Sequence, residues 1–167
     1  PLGDNNGIVL HGDSSVVNCG VIGFNTGFFL YGSSNVVDSF AYGTTHNNGP
    51  FDDYGFFLYG DYTTVSNSLA LGNNESGFAL SGDYTTVSDS ISLGNTMHGF
   101  VIGGDYATVF NSTALENGGH GFNLFGDYIA VFNSIASENT KMGFFMDGAH
   151  ITVSNSTATN NSWYGFS

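Results

Sequence analysis

With 167 residues, 41% of them hydrophobic and 16 of them Phe, the chain is long enough and apolar enough to bury a core, which excludes a disordered polymer. Its charge excludes more: 14 Asp and Glu stand against one base, Lys141, for a formal net charge of −13. Nucleic acid and anionic membrane surfaces both need basic groups in their partner, and no apolar run reaches the roughly 18 residues that a membrane-spanning helix requires.

The first predicted unit opens at Gly7. Ile8 and Leu10 alternate with other residues, Val16 follows, a bend falls at Asn18-Cys19, and Val21 begins a third short stretch. Alternation of this kind predicts strands. The second unit opens at Gly27 and repeats the order with Phe28, Leu30, Val36, Asp38-Ser39 and Ala41. It then carries an insertion, "TTHNNGPFDDY", residues 44–54. From Gly55 the period locks: Gly55, Gly77, Gly99, Gly121 and Gly143 open units of 22 residues, and Gly165 begins another. "GDYTTVS" recurs whole at 60–66 and 82–88.

A fixed period rich in Gly, Asn, Ser, Thr, Val and Phe, with few helix formers, predicts a β-solenoid. One coil cannot bury its own apolar face, so each must stack on the next, with like residues about 4.8 Å apart. The predicted fold is therefore all-β: a single domain over 1–167, about seven coils starting near 7, 27, 55, 77, 99, 121 and 143, three short strands in each, and no evident caps. The columns Asn18, Asn67, Asn111, Asn133 and Asn155, with Asp38 and Asp89 between them, predict a structural side-chain ladder at a tight bend. Cys19 sits in the small-residue column beside it, reads as a small buried residue, and has no partner for a disulfide.

The unit "GFVIGGDYATVFNSTALEN" (Gly99–Asn117) and its copies resemble the repeat of right-handed parallel β-helix proteins of the pectate-lyase-like kind. The resemblance runs from Gly7 to Phe166. It implies the coil architecture, an extracellular setting and an association with polysaccharides. Lyases of that family are known for an Arg or Lys as proton abstractor, and a chain with one Lys and no Arg departs from that chemistry. The expectation is a protein that is not an enzyme.

Candidate sites follow from the columns. Asp61, Asp83, Asp105 and Asp127, with Asp13 earlier, follow a Gly in each coil. They read as turn residues bonding backbone N–H groups, and as weak candidates for Ca²⁺; no other cofactor is expected. Tyr62, Tyr84, Tyr106 and Tyr128 form an adjacent column that ends at His150. His98 and His120 are one repeat apart, too few for a metal site by themselves. Phe29, Tyr31, Phe57 and Tyr59 should form an outward lateral patch, with Phe125 and Phe145 further along, and the insertion 44–54 either folds over that patch or serves as a contact loop. Of four sequons, at Asn74, Asn111, Asn155 and Asn160, those at Asn74 and Asn160 are the plausible glycan sites.

The ends raise the possibility of self-association. Leu2, Ile8, Leu10 and Val16 at one end, and Phe144, Met146, Val153 and Phe166 at the other, are expected to face outward along the axis. Unlike end faces that meet head to tail give an open filament. The primary expectation is a secreted structural subunit whose partner is itself. The alternative is a carbohydrate-binding or incomplete carbohydrate-active module, with glycans as partners.

Overall fold

The computed structural model describes residues 6–44 and 53–167. Leu2 and most of the insertion lie outside the described residues. Among those described there are 21 strands and no helix, arranged as three parallel sheets of seven strands each. Each coil contributes one strand to each sheet. The first sheet stacks Ile8–His11, Phe28–Tyr31, Phe56–Tyr59, Phe78–Ser81, Phe100–Gly103, Phe122–Phe125 and Phe144–Asp147 in chain order. In the fifth coil the second and third strands are Thr108–Phe110 and Thr113–Leu115.

The register pairs each residue with its own counterpart one repeat later: Phe100 with Phe122, Val87 with Val109, Ala114 with Ala136. A one-residue slip would turn every inward side chain outward, so the alternation fixes the register. Inside, Phe and Leu come from the first sheet, Val from the second and Ala from the third. The Phe rings from Phe28 to Phe166 stack with neighbouring centroids 4.6–5.0 Å apart and planes within 9° of parallel. Each fully buried Phe contributes roughly 1.5–3 kcal/mol of transfer free energy.

Two glycine columns admit no side chain. A Cβ on Gly82 would lie 2.3 Å from the carbonyl oxygen of Gly60, and one on Gly99 would lie 2.6 Å from that of Gly121. Successive coils are in backbone contact at both places, which is why the "GD" and the coil-opening "GF" recur.

The predicted amide ladder is relocated. Asn18, Asn67, Asn111, Asn133 and Asn155 occupy the bend between second and third sheets with φ of 47–53°, and all are exposed. They are selected for the left-handed backbone, which Asn tolerates better than most residues. In that column Asn111 donates Nδ2–H to Asp89 Oδ1 at 3.1 Å. The ladder proper is the Asn that closes each unit: Asn73, Asn95, Asn117, Asn139 and Asn161. Asn117 Nδ2 donates to Asn139 Oδ1 (3.0 Å) and to the Ser92 carbonyl (3.2 Å), while its Oδ1 accepts from the Asn95 backbone N–H (3.1 Å) and side chain (2.9 Å). A serine ladder runs beside the bend: Ser68 N–H donates to Ser90 Oγ (3.3 Å), and Ser68 Oγ–H donates to the Ser66 carbonyl (2.8 Å). Cys19 takes the serine's place in the first coil, half-buried, with its N–H donating to Ser39 Oγ at 3.3 Å.

These two Asn columns predict opposite mutational behaviour. Asn117→Ala strands buried donors and acceptors in two coils and should cost roughly 3 kcal/mol. Asn111→Gly keeps the left-handed bend accessible and should stay within about 1 kcal/mol of the parent. Denaturant unfolding of both variants measures the difference. Equal losses would refute the assignment.

Candidate functional site

The outer face of the first sheet is uneven because its outward residues change size along the axis. One outward column runs Phe29, Phe57, Ala79, Val101, Asn123, Phe145; the other runs Tyr31, Tyr59, Ser81, Gly103, Phe125, Asp147. Large side chains in the second and third coils give way to Ala79, Ser81 and Gly103, and aromatic rings return at Phe125 and Phe145. The result is a cleft over the fourth and fifth coils, walled by the aromatic residues of the second and third.

The deeper part has a volume of about 480 Å³ and is lined by Tyr31, Tyr54, Phe57, Tyr59, Ala79, Ser81, Val101 and Gly103, with Leu80 beneath. A contiguous depression shares Tyr31, Tyr59, Ser81 and Gly103 and extends over Gly32, Gly60, Gly82 and Gly104 to Asp61 and Asp83. The cleft falls within the size range of small-molecule sites, with a mostly apolar lining and a few polar groups at its rim.

The predicted lateral patch is the aromatic wall of this cleft. Phe29 stacks on Phe57 (5.1 Å), meets Tyr31 edge-on (5.0 Å), and Tyr31 meets Tyr59 edge-on (6.0 Å). Tyr54 joins from the turn, 5.2 Å from Phe57. Sequence reasoning left open whether the insertion that ends at Tyr54 folds over the patch or serves as a contact loop; Tyr54 itself packs against Phe57, and residues 45–52 lie outside the described residues. It missed that the small residues Ala79, Ser81 and Gly103 form the floor. Their signal was the break in two otherwise aromatic columns.

Beside the cleft run two more ladders. Asp61 Oδ1 accepts the N–H of Asp83 (2.9 Å), Asp83 that of Asp105 (2.9 Å), Asp105 that of Asp127 (2.8 Å) and Asp127 that of Ala149 (2.7 Å). The column offered as Ca²⁺ ligands thus ties each coil to the next through one carboxylate oxygen. No group of three or more His, Cys, Asp or Glu stands together as a metal cage among the described residues. Tyr62, Tyr84, Tyr106 and Tyr128 stack at 5.0–5.1 Å, with His150 on Tyr128 at 4.7 Å. All five have φ of 58–60° and are exposed.

The end residues sort into two groups. Ile8, Leu10, Met146 and Val153 are half-buried and pack against the core, and Phe166 is exposed. Val16 and Phe144 do not face outward as expected: both are buried, Phe144 because Phe166 stacks over it. Of the sequons, Asn74 is half-buried and its Nδ2, the atom a glycan would modify, donates to Asp53 Oδ2 (3.2 Å), whereas Asn160 is exposed at a left-handed bend.

His98 and His120 are not an ordinary surface pair: His98 is half-buried and His120 buried. Their rings stack at 5.1 Å, and Phe145 covers His120 at 5.0 Å. His98 Nδ1 accepts the His120 N–H (3.0 Å), and His120 Nδ1 accepts the Met142 N–H (3.2 Å). Burial, then the neighbouring His120 and Lys141, lower the His98 pKa to about 4, and burial, then Lys141, lowers that of His120. A protonated ring has no acceptor nitrogen. The unfolded chain therefore binds protons that the folded chain refuses, and this part of the stability is complete above pH 6.5 and lost as pH falls toward about 4. In the same column Ser76 Oγ accepts the His98 N–H (3.2 Å), so serine is a non-titrating replacement. A His98→Ser/His120→Ser variant should lose less melting temperature between pH 6.5 and 4 than the parent; parallel pH profiles would refute the role.

Comparison with known proteins places this architecture. A family model described as a right-handed beta helix region matches residues 6–167. The solved structure of pectate lyase Pel9A superposes with a TM-score of 0.68 at 20% identity, over 93% of this chain and 46% of the lyase. The chain spans less than half the length of that lyase, and at this identity the likeness shows the fold alone. No curated protein sequence matches. With its three parallel sheets, its in-register coils and a family match over nearly all of its length, the chain belongs to the right-handed β-helix family.

Proposed function

We propose that this chain is a glycan-binding β-helix module, secreted or displayed at a cell surface, that holds a carbohydrate without cleaving it. The observation that carries this reading is the aromatic-walled cleft on the first sheet, floored by Ala79, Ser81 and Gly103. Sugar rings present apolar C–H faces that stack on aromatic side chains, and their hydroxyls reach polar groups at a cleft's rim. The fold shared with a protein named as a pectate lyase supports a polysaccharide setting. The scarcity of bases argues against lyase chemistry, since Lys141 is the sole Lys or Arg in the chain.

Calorimetric titration with a panel of oligosaccharides tests the reading. Saturable binding is expected, and Tyr59→Ala should weaken it about tenfold, equivalent to ~1.4 kcal/mol. Ser81→Tyr, at an exposed floor position, should fill the cleft and abolish binding while the fold remains. No saturable binding, or binding indifferent to Ser81→Tyr, would overturn the proposal.

A second reading, head-to-tail assembly of copies into a fibre, is favoured by the parallel, in-register pairing in which each coil buries its inward face on the next. Under this reading, electron microscopy shows rods that lengthen with protein concentration, and Phe166→Asp shortens them. Discrete monomers at all concentrations would reject it.

A further inference from the structure

We infer that the cleft selects a cationic amino sugar, an oligomer of the glucosamine type, over neutral and acidic glycans; this rests on the glycan reading above and adds a charge to it. The second depression of the cleft ends on Asp61 and Asp83, and no Lys or Arg lines either part. Asp61 is exposed and Asp83 half-buried. Each carboxylate gives Oδ1 to the next coil's N–H and has Oδ2 left for a ligand.

The two carboxylates repeat at the coil spacing, ~4.8 Å, beside the exposed ring of Tyr59. A pyranose ring lying on Tyr59 or Tyr31 places substituents along its edge toward that acidic rim. An ammonium there forms a charge-assisted bond with Oδ2 and meets an aromatic face within cation–π reach. A uronate in the same place is repelled by the rim and by a chain of net charge −13. An N-acetyl group carries no charge: its single N–H can still donate to Oδ2, but it gains neither the ion pair nor the cation–π contact. Charge complementarity thus chooses the occupant, while the aromatic wall makes it a sugar.

The test is calorimetric titration of the whole chain with a glucosamine tetramer, its N-acetylated counterpart and a galacturonate tetramer, at mildly acidic pH and two salt concentrations. The glucosamine tetramer should bind at least tenfold tighter than the acetylated one, more weakly at high salt, and the galacturonate tetramer should not bind. Asp61→Asn/Asp83→Asn should erase the preference, since Asn keeps an Oδ1 for the next coil's N–H and loses only the charge. Equal affinity for free and acetylated tetramers, in parent and variant alike, would overturn the inference and leave the glycan reading standing. No binding of any sugar would overturn both. An oligolysine peptide that binds as tightly through the same carboxylates would make the partner a basic peptide and overturn the amino-sugar assignment.

Discussion

Hydrogen bonding from each coil to the next, repeated in strict register at the strand spacing, is the interaction on which everything else here depends. Parallel pairing places each residue over its counterpart in the next coil, 22 positions away from the third coil onward. Once that distance is fixed, a side chain does not choose its neighbours; it stacks on itself. Phe meets Phe, Asn meets Asn and Ser meets Ser. A residue type is useful in such a stack when it bonds or packs favourably with its own kind at about 4.8 Å.

Several residues that look functional by type are explained by that constraint. Asp ties coil to coil through the N–H one repeat on. His98 and His120 do the same with Nδ1, and at that column Ser76 is an equivalent part. The cleft, by contrast, comes from failure of the repeat. The cleft exists because Ala79, Ser81 and Gly103 stand where aromatic residues stood one and two coils before. A solenoid makes clefts by subtraction: a small residue in a column of large ones leaves a space whose wall is set by the rigid aromatic stack beside it. Such a site needs little reorganisation to receive a ligand.

The period, the strand alternation and the inward Phe, Leu, Val and Ala columns were legible in the sequence, since a one-dimensional repeat with period-two alternation dictates them almost without tertiary information. So was the aromatic patch. The Asn column was harder. Two Asn columns look alike in sequence, and only the path of the chain decided that one turns outward in a left-handed bend while Asn73, Asn95, Asn117 and Asn139 are buried in the ladder. The place of Tyr54 stayed between two alternatives, because the turn that carries it has no counterpart in the other coils. What the sequence by itself determined was the stack, a consequence of local periodicity. What only the tertiary structure decided was which side of each bend faces the core and which gap between columns becomes a site, since both depend on how three sheets close around one axis.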